Sequence, residues 1–131
     1  SVEARFDHNI SIAGDKVARE VALMKNQGHS LQRLAELIAQ GGSGQFDCIY
    51  IDGSHRPADV LADAVLSFEL LSPGGCIIFD DYCWSNVATG DGINSAPKIG
   101  IDAFTTCFFN ELAFIDAPLG QLMCLKKNRE G

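Results

Sequence analysis

Three carboxylates and one imidazole stand out in this sequence as groups that could do chemistry. They are Asp52 in Ile-Asp-Gly-Ser-His, His55 three residues later, and the adjacent pair Asp80-Asp81. Hard cations such as Mg²⁺ or Ca²⁺ prefer oxygen ligands, so Asp52, Asp80 and Asp81 brought together would make a metal site. Histidine titrates near neutrality, which suits His55 to act as a general base or as a further ligand. A plainer reading stands beside this one. An aspartate at a strand end also serves simply to cap the next helix or turn. Two adjacent carboxylates facing a third favour a functional cluster, because like charges brought together cost energy unless something compensates them.

The surrounding segments say how these groups are positioned. Phe46 to Ile51 is a short, largely apolar run between turn residues, the pattern of a strand buried on both faces of a parallel sheet. Asp52 falls at its C-terminal end. From Pro57 to Leu71, Val60, Leu61, Ala64, Val65 and Phe68 share one helical face, with Asp59, Asp63 and Glu69 elsewhere. Ser72-Pro73-Gly74-Gly75 stops that helix, and Cys76-Ile77-Ile78-Phe79 is a second apolar strand. Strand, helix and strand make a βαβ unit whose parallel strands end at Asp52 and Asp80. Both acidic sites therefore share the sheet edge where ligands bind in open α/β folds.

Upstream, Glu3 to Ile12 reads as a short helix and Arg19 to Lys25 as a strand closed by the turn Asn26-Gln27-Gly28. Ser30 then caps a helix from Leu31 to Gln40, with Leu31, Leu34, Ala35 and Ile38 on one stripe, and Gly41-Gly42-Ser43-Gly44 ends it. Downstream, Trp84 to Gly100 is rich in Gly, Asn, Ser and Pro, lacks apolar periodicity, and is long enough to suggest a lid or substrate loop. Ile101 to Asn110 reads as a helix buried through Ile101, Phe104 and Phe108. Ala113 to Ala117 and Leu122 to Lys126, joined by Pro118-Leu119-Gly120, read as a closing antiparallel hairpin.

Composition narrows the ligand. The chain has 131 residues and 47% hydrophobic side chains, with no compositional shift, which fits a single domain over residues 1–131. Seventeen acidic against ten basic residues give a formal charge of −7, which repels nucleic-acid backbones and anionic lipid. A small-molecule substrate is expected, with no nucleic-acid or membrane partner. No run is long and apolar enough to span a bilayer and the first residues lack signal-peptide character, so a cytoplasmic location is the default expectation. The five cysteines form no Cys-x-x-Cys spacing and read as reduced structural residues. The sequence holds neither a Gly-x-Ser-x-Gly elbow nor a phosphate-binding P-loop, and a phospho-receiver domain would place its acidic pair before the single aspartate.

The runs Phe-Asp-Cys-Ile-Tyr-Ile-Asp-Gly-Ser-His, Asp-Val-Leu-Ala-Asp and Leu-Leu-Ser-Pro-Gly-Gly-Cys-Ile-Ile-Phe-Asp-Asp-Tyr resemble the fourth and fifth strands of class I S-adenosylmethionine-dependent methyltransferases. Ile-Asp-Gly-Ser-His and Asp-Asp-Tyr-x-Trp resemble in particular the small-molecule O-methyltransferases, some of them magnesium-dependent. The resemblance implies a Rossmann-like, three-layer α/β/α fold, here a partial methyltransferase sheet with a C-terminal antiparallel hairpin. It implies S-adenosylmethionine as cofactor, with Mg²⁺ as a further candidate. Matched by position, Gly28, His29 and Ser30 fall in the loop near the adenine; Asp52, Gly53 and His55 face cofactor and substrate; Asp80 and Asp81, with Asp52, form the metal site.

The family's first two strands and its Glu/Asp-x-Gly-x-Gly loop have no counterpart in these 131 residues. The sequence therefore reads as the C-terminal part of such a domain, expected to bind the cofactor weakly by itself and to associate with copies of itself through uncovered strands. Two other readings remain open: another Rossmann-like enzyme using a nicotinamide cofactor, and a non-catalytic interaction or oligomerisation domain.

Overall fold

The computed structural model describes residues 30–52, 56–80, 82 and 96–128. The helix expected over Glu3 to Ile12 and the strand expected over Arg19 to Lys25 lie outside them. The described chain runs α1 (Ser30–Ala39), β1 (Phe46–Ile51), α2 (Pro57–Leu70), β2 (Leu71–Phe79), α3 (Pro97–Cys107), a 3₁₀ turn (Phe109–Glu111), β3 (Leu112–Ile115) and β4 (Leu122–Lys126). The sheet order is β1-β2-β4-β3. β1 and β2 are parallel across α2, and the β3–β4 hairpin joins β2 antiparallel through β4. This is the mixed α/β arrangement and closing hairpin that the sequence predicts.

The end of α1 follows from its glycines. Gly41 takes φ +88°, and the N–H groups of Gly41 and Gly42 donate to the carbonyls of Ile38 and Leu37, the bonding pattern of a Schellman cap. A Cβ on Gly42 would lie 2.6 Å from the Leu37 carbonyl oxygen, so this turn admits only glycine without a shift. The apolar stripe of α1 is covered less than its periodicity suggests. No residue of the helix is fully buried and Leu31 is 41% exposed, because α1 packs onto α2 and not directly into the sheet.

α2 begins with Pro57 at its first turn and buries Val60, Ala64 and Phe68 as expected. It also buries Asp63, which the sequence places off that apolar face. The cause is α1. Ser30 Oγ donates to Asp63 Oδ2 at 2.9 Å, so a polar bridge lies between the two helices. At the other end, the Lys126 ammonium donates to the carbonyls of Phe68 and Leu71 at 2.7 and 2.8 Å and sits 4.4 Å from the Phe68 ring centroid. A cation thus meets the negative end of the helix, tying β4 to the α2–β2 junction.

The Ser-Pro-Gly-Gly turn is present, but inside a strand. Phe46 pairs with Leu71 and Cys48 with Cys76, so Ser72, Pro73, Gly74 and Gly75 bulge out opposite Asp47. Gly74 supplies the positive φ of +83° that the bulge requires. α3 starts at Pro97, four residues before the expected Ile101, because proline is favoured in a helix's first turn even where apolar periodicity is weak.

The core lies on one face of the sheet. Ile77, Phe79 and Cys124 are 0% exposed beneath α2 and α3, and Phe104 is equally buried. Ring contacts join Phe104 to Phe79 at 5.6 Å, to Phe68 at 5.7 Å and to Phe108 at 5.1 Å. The opposite face carries the register row Tyr50, Ile78, Met123 and Ile115. No described helix covers it. β1 is therefore not buried on both faces as expected: Cys48 and Tyr50 are exposed, while Ile49 and Ile51 turn toward the core.

Candidate active site

β1 and β2 end side by side. Asp52 follows the last residue of β1 and Asp80 the last of β2, and the Asp80 N–H donates to the Ile51 carbonyl at 3.1 Å. The two acidic strand ends are thereby fixed next to each other at the carboxyl edge of the parallel pair. Because side chains alternate along a strand, Tyr50 and Asp52 share a face, and the pairing of Tyr50 with Ile78 puts Asp80 on it too. The Tyr50 hydroxyl donates to Asp80 Oδ2 at 2.7 Å. That bond orients the carboxylate and occupies one of its oxygens.

A second phenol anchors the chain just beyond. The Tyr82 N–H donates to the Gly120 carbonyl in the β3–β4 turn at 2.8 Å, and its hydroxyl donates to Asp102 Oδ1 at 2.6 Å. Lys98 donates to the other oxygen, Oδ2, and its ammonium stands 5.2 Å from the Tyr82 ring centroid. The Asp102 carboxylate holds the phenol above its ordinary pKa, and burial adds to the effect. Burial alone would raise the Asp102 carboxyl, but the hydrogen bonds from Lys98 and Tyr82 outweigh it and the group sits below its usual value. Lys98 is raised by its bonds to Asp102 and Tyr82.

Of the residues singled out in the sequence, Asp52 and Asp80 are brought together. Ser30 opens α1 with its hydroxyl on Asp63. Gly28, His29, Gly53, His55 and Asp81 lie outside the described residues. Among the described residues no three His, Cys, Asp or Glu side chains are grouped so as to hold a metal ion. Two carboxylates are present, one already accepting from Tyr50, and this is short of the three-carboxylate set. Tyr50, Lys98 and Asp102 were not evident as site residues. For Tyr50 the signal was available, since it stands two residues before Asp52 and must share its face.

A family model described as a methyltransferase domain matches residues 4–82. None of the curated proteins matches the chain significantly. Among solved structures, a protein from Corynebacterium glutamicum is similar with a TM-score of 0.58 and 17% identity, over 95% of this chain and 55% of that one. The MycE methyltransferase of the mycinamycin biosynthetic pathway, solved in complex with Mg and SAH, is similar with a TM-score of 0.53 and 22% identity, over 82% of this chain and 32% of that one. These likenesses concern the fold, and the chain spans about half the length of the first structure and a third of the second. With a family model matching more than half of its residues, the chain belongs to the methyltransferase-domain family.

Proposed function

We propose that this chain contributes the acceptor side of a methyltransferase that moves a methyl group from S-adenosylmethionine to a hydroxyl of a small molecule. The observation that carries the reading is the joined pair of acidic strand ends, Asp52 and Asp80, at the carboxyl edge of a parallel βαβ unit in a methyltransferase-domain chain. Bound S-adenosylmethionine supplies a methyl group on a positively charged sulfur. Asp80, oriented by Tyr50, would accept a hydrogen bond from a neighbouring polar group of the acceptor and so hold the reacting oxygen in line with that methyl. Asp52 stands beside it to contact cofactor or acceptor. His55 would take the hydroxyl proton as the new C–O bond forms and the C–S bond breaks. Gly28, His29, Ser30 and Gly53 would line the cofactor.

Divalent-metal assistance is the finer version of this reading. The ligands would be Asp52, Asp80 and Asp81, but the described residues do not assemble that set, so no step above runs through a cation. Adding Mg²⁺ tests it. A rise in thermal stability or activity that Asp80→Ala abolishes supports metal assistance, and no response in either discards it.

The decisive experiment is transfer of labelled methyl from S-adenosylmethionine to a panel of hydroxylated small molecules. Activity that falls on Asp52→Asn and His55→Ala supports the proposal; activity indifferent to both sinks the assigned roles. The 131 residues contain no Glu/Asp-x-Gly-x-Gly loop, so weak cofactor affinity is expected of them alone. Micromolar binding by titration calorimetry would contradict that. A non-catalytic association role is the second reading, favoured by the exposed Tyr50 and Ile115 on the uncovered sheet face. A stable dimer with no methyl transfer to any acceptor of the panel at saturating S-adenosylmethionine would select it.

A further inference from the structure

Helix α3 touches the chain that follows both acidic strands. Its Gly100 lies directly on the start of α2: an added Cβ would stand 2.3 Å from the Pro57 carbonyl oxygen and 3.2 Å from the Leu61 nitrogen. Pro57 is the first residue of α2, just beyond Asp52 in the chain. Two residues to either side of Gly100, Lys98 and Asp102 hold Tyr82, which stands two residues beyond Asp80. One helix therefore contacts the segment after β1 through its backbone and the segment after β2 through its side chains.

An ordinary surface pair at i and i+4 does not account for this arrangement. Such a pair needs only Lys98 and Asp102 and contributes little by itself. Here each oxygen of one carboxylate takes a different donor, the ammonium on one and the phenol on the other. The ammonium also lies against the ring of the same tyrosine. The Tyr82 backbone is held at the same time by the Gly120 carbonyl. Tyr82 is thus fixed from α3 on one side and from the β3–β4 turn on the other, and Asp80 is separated from that anchor by a single residue.

We propose that Asp102, supported by Lys98, is a positioning residue for the acidic strand ends: through Tyr82 it fixes where Asp80 stands, while Gly100 fixes α3 against the chain that follows Asp52. Helix α3 thereby sets the placement of the two carboxylates relative to each other. The inference rests on the methyl-transfer reading for what the carboxylates do, but not for how they are held.

The test uses amide hydrogen exchange and chemical shifts in the ¹⁵N-labelled chain. Asp102 is partly exposed, so Asp102→Ala is expected to leave the fold intact, and Tyr82→Phe keeps the ring while removing the hydroxyl donor. Each change is expected to speed exchange of the Asp80 amide, which bonds to Ile51, by about tenfold and to move its signal, with the Ile77 amide unchanged. The double variant is expected to match the single ones, because both remove the same link. Asp102→Glu is expected to restore part of the protection. Unchanged exchange at Asp80 in both single variants, or strictly additive effects, would overturn the proposal. In an active preparation kcat is expected to fall about 10-fold to 100-fold with the cofactor Kd unaltered. If the exchange results hold while Asp52→Asn and His55→Ala leave methyl transfer unchanged, the functional reading fails and the positioning role stands.

Discussion

The two faces of the sheet differ more than the strand sequences suggest. Alternate residues of β1 and β2 are about equally apolar, yet Ile77 and Phe79 are 0% exposed while Tyr50, one position away in register terms, is 40% exposed. The contrast fades in the hairpin, where Cys124 is fully buried but its register partner Phe114 is 46% exposed, against 37% for Ile115 on the other face. What separates the faces is the helix layer. α2 and α3 cover one side with an interlocked set of phenylalanines, and no described helix lies on the other. Packing is thus confined to the closed face, while Tyr50 and its hydrogen bond to Asp80 lie on the open one.

The largest expected effect that would sharpen this comparison is Phe104→Ala. It removes the ring that touches Phe68, Phe79 and Phe108, and should cost about 3–5 kcal/mol in urea unfolding. Next comes pH. Burial pushes the Cys124 thiol up to about 11 from an ordinary value of 9.0, a difference of about two units. The folded state keeps this proton longer than the unfolded state does. Its contribution is therefore intact below pH 9 and is lost as pH rises toward 11, at about 1.4 kcal/mol per unit or roughly 2–3 kcal/mol in all. Cys124→Ala should make the decline of stability between pH 9 and 11 shallower, as followed by circular dichroism.

Lys126→Met keeps the chain length but leaves the carbonyls at the end of α2 without their cation. A loss of about 1–3 kcal/mol is expected, and one below measurement error would mean that water replaces the ammonium at no cost. The smallest effect is expected on the open face, where Ile115→Thr should change stability by no more than about 0.5 kcal/mol. If that substitution cost as much as Phe104→Ala, the open face would be packed in solution and the comparison would collapse.

Much of the framework was legible from local pattern. The runs Phe46–Ile51 and Cys76–Phe79 flank a helix of clear amphipathic period, and only a parallel pair connects such elements compactly, so Asp52 and Asp80 had to meet at one edge. The hairpin was legible for the same reason, with Pro118 and Gly120 marking its turn. The environment of single residues was not. Asp63 stood off the apolar stripe and nothing local said that α1 would bring Ser30 over it, and the Ser-Pro-Gly-Gly stretch looked like a turn between elements, though Leu71 already pairs with Phe46. Tyr82 was visible only as part of a motif. Its partners Lys98 and Asp102 lie in a helix whose apolar pattern said nothing about which polar residues would face the strand ends.

The sequence by itself determined the elements, their order and the edge at which the acidic residues collect, because hydrophobic period and turn chemistry act over a few neighbouring residues. Only the tertiary structure decided which face of β1 was covered, which oxygen of Asp80 was already taken by Tyr50, and that α3 spans the chain beyond both carboxylates. Those are contacts between residues far apart in the chain, and their geometry depends on how the helices settle on the sheet, which no local pattern encodes.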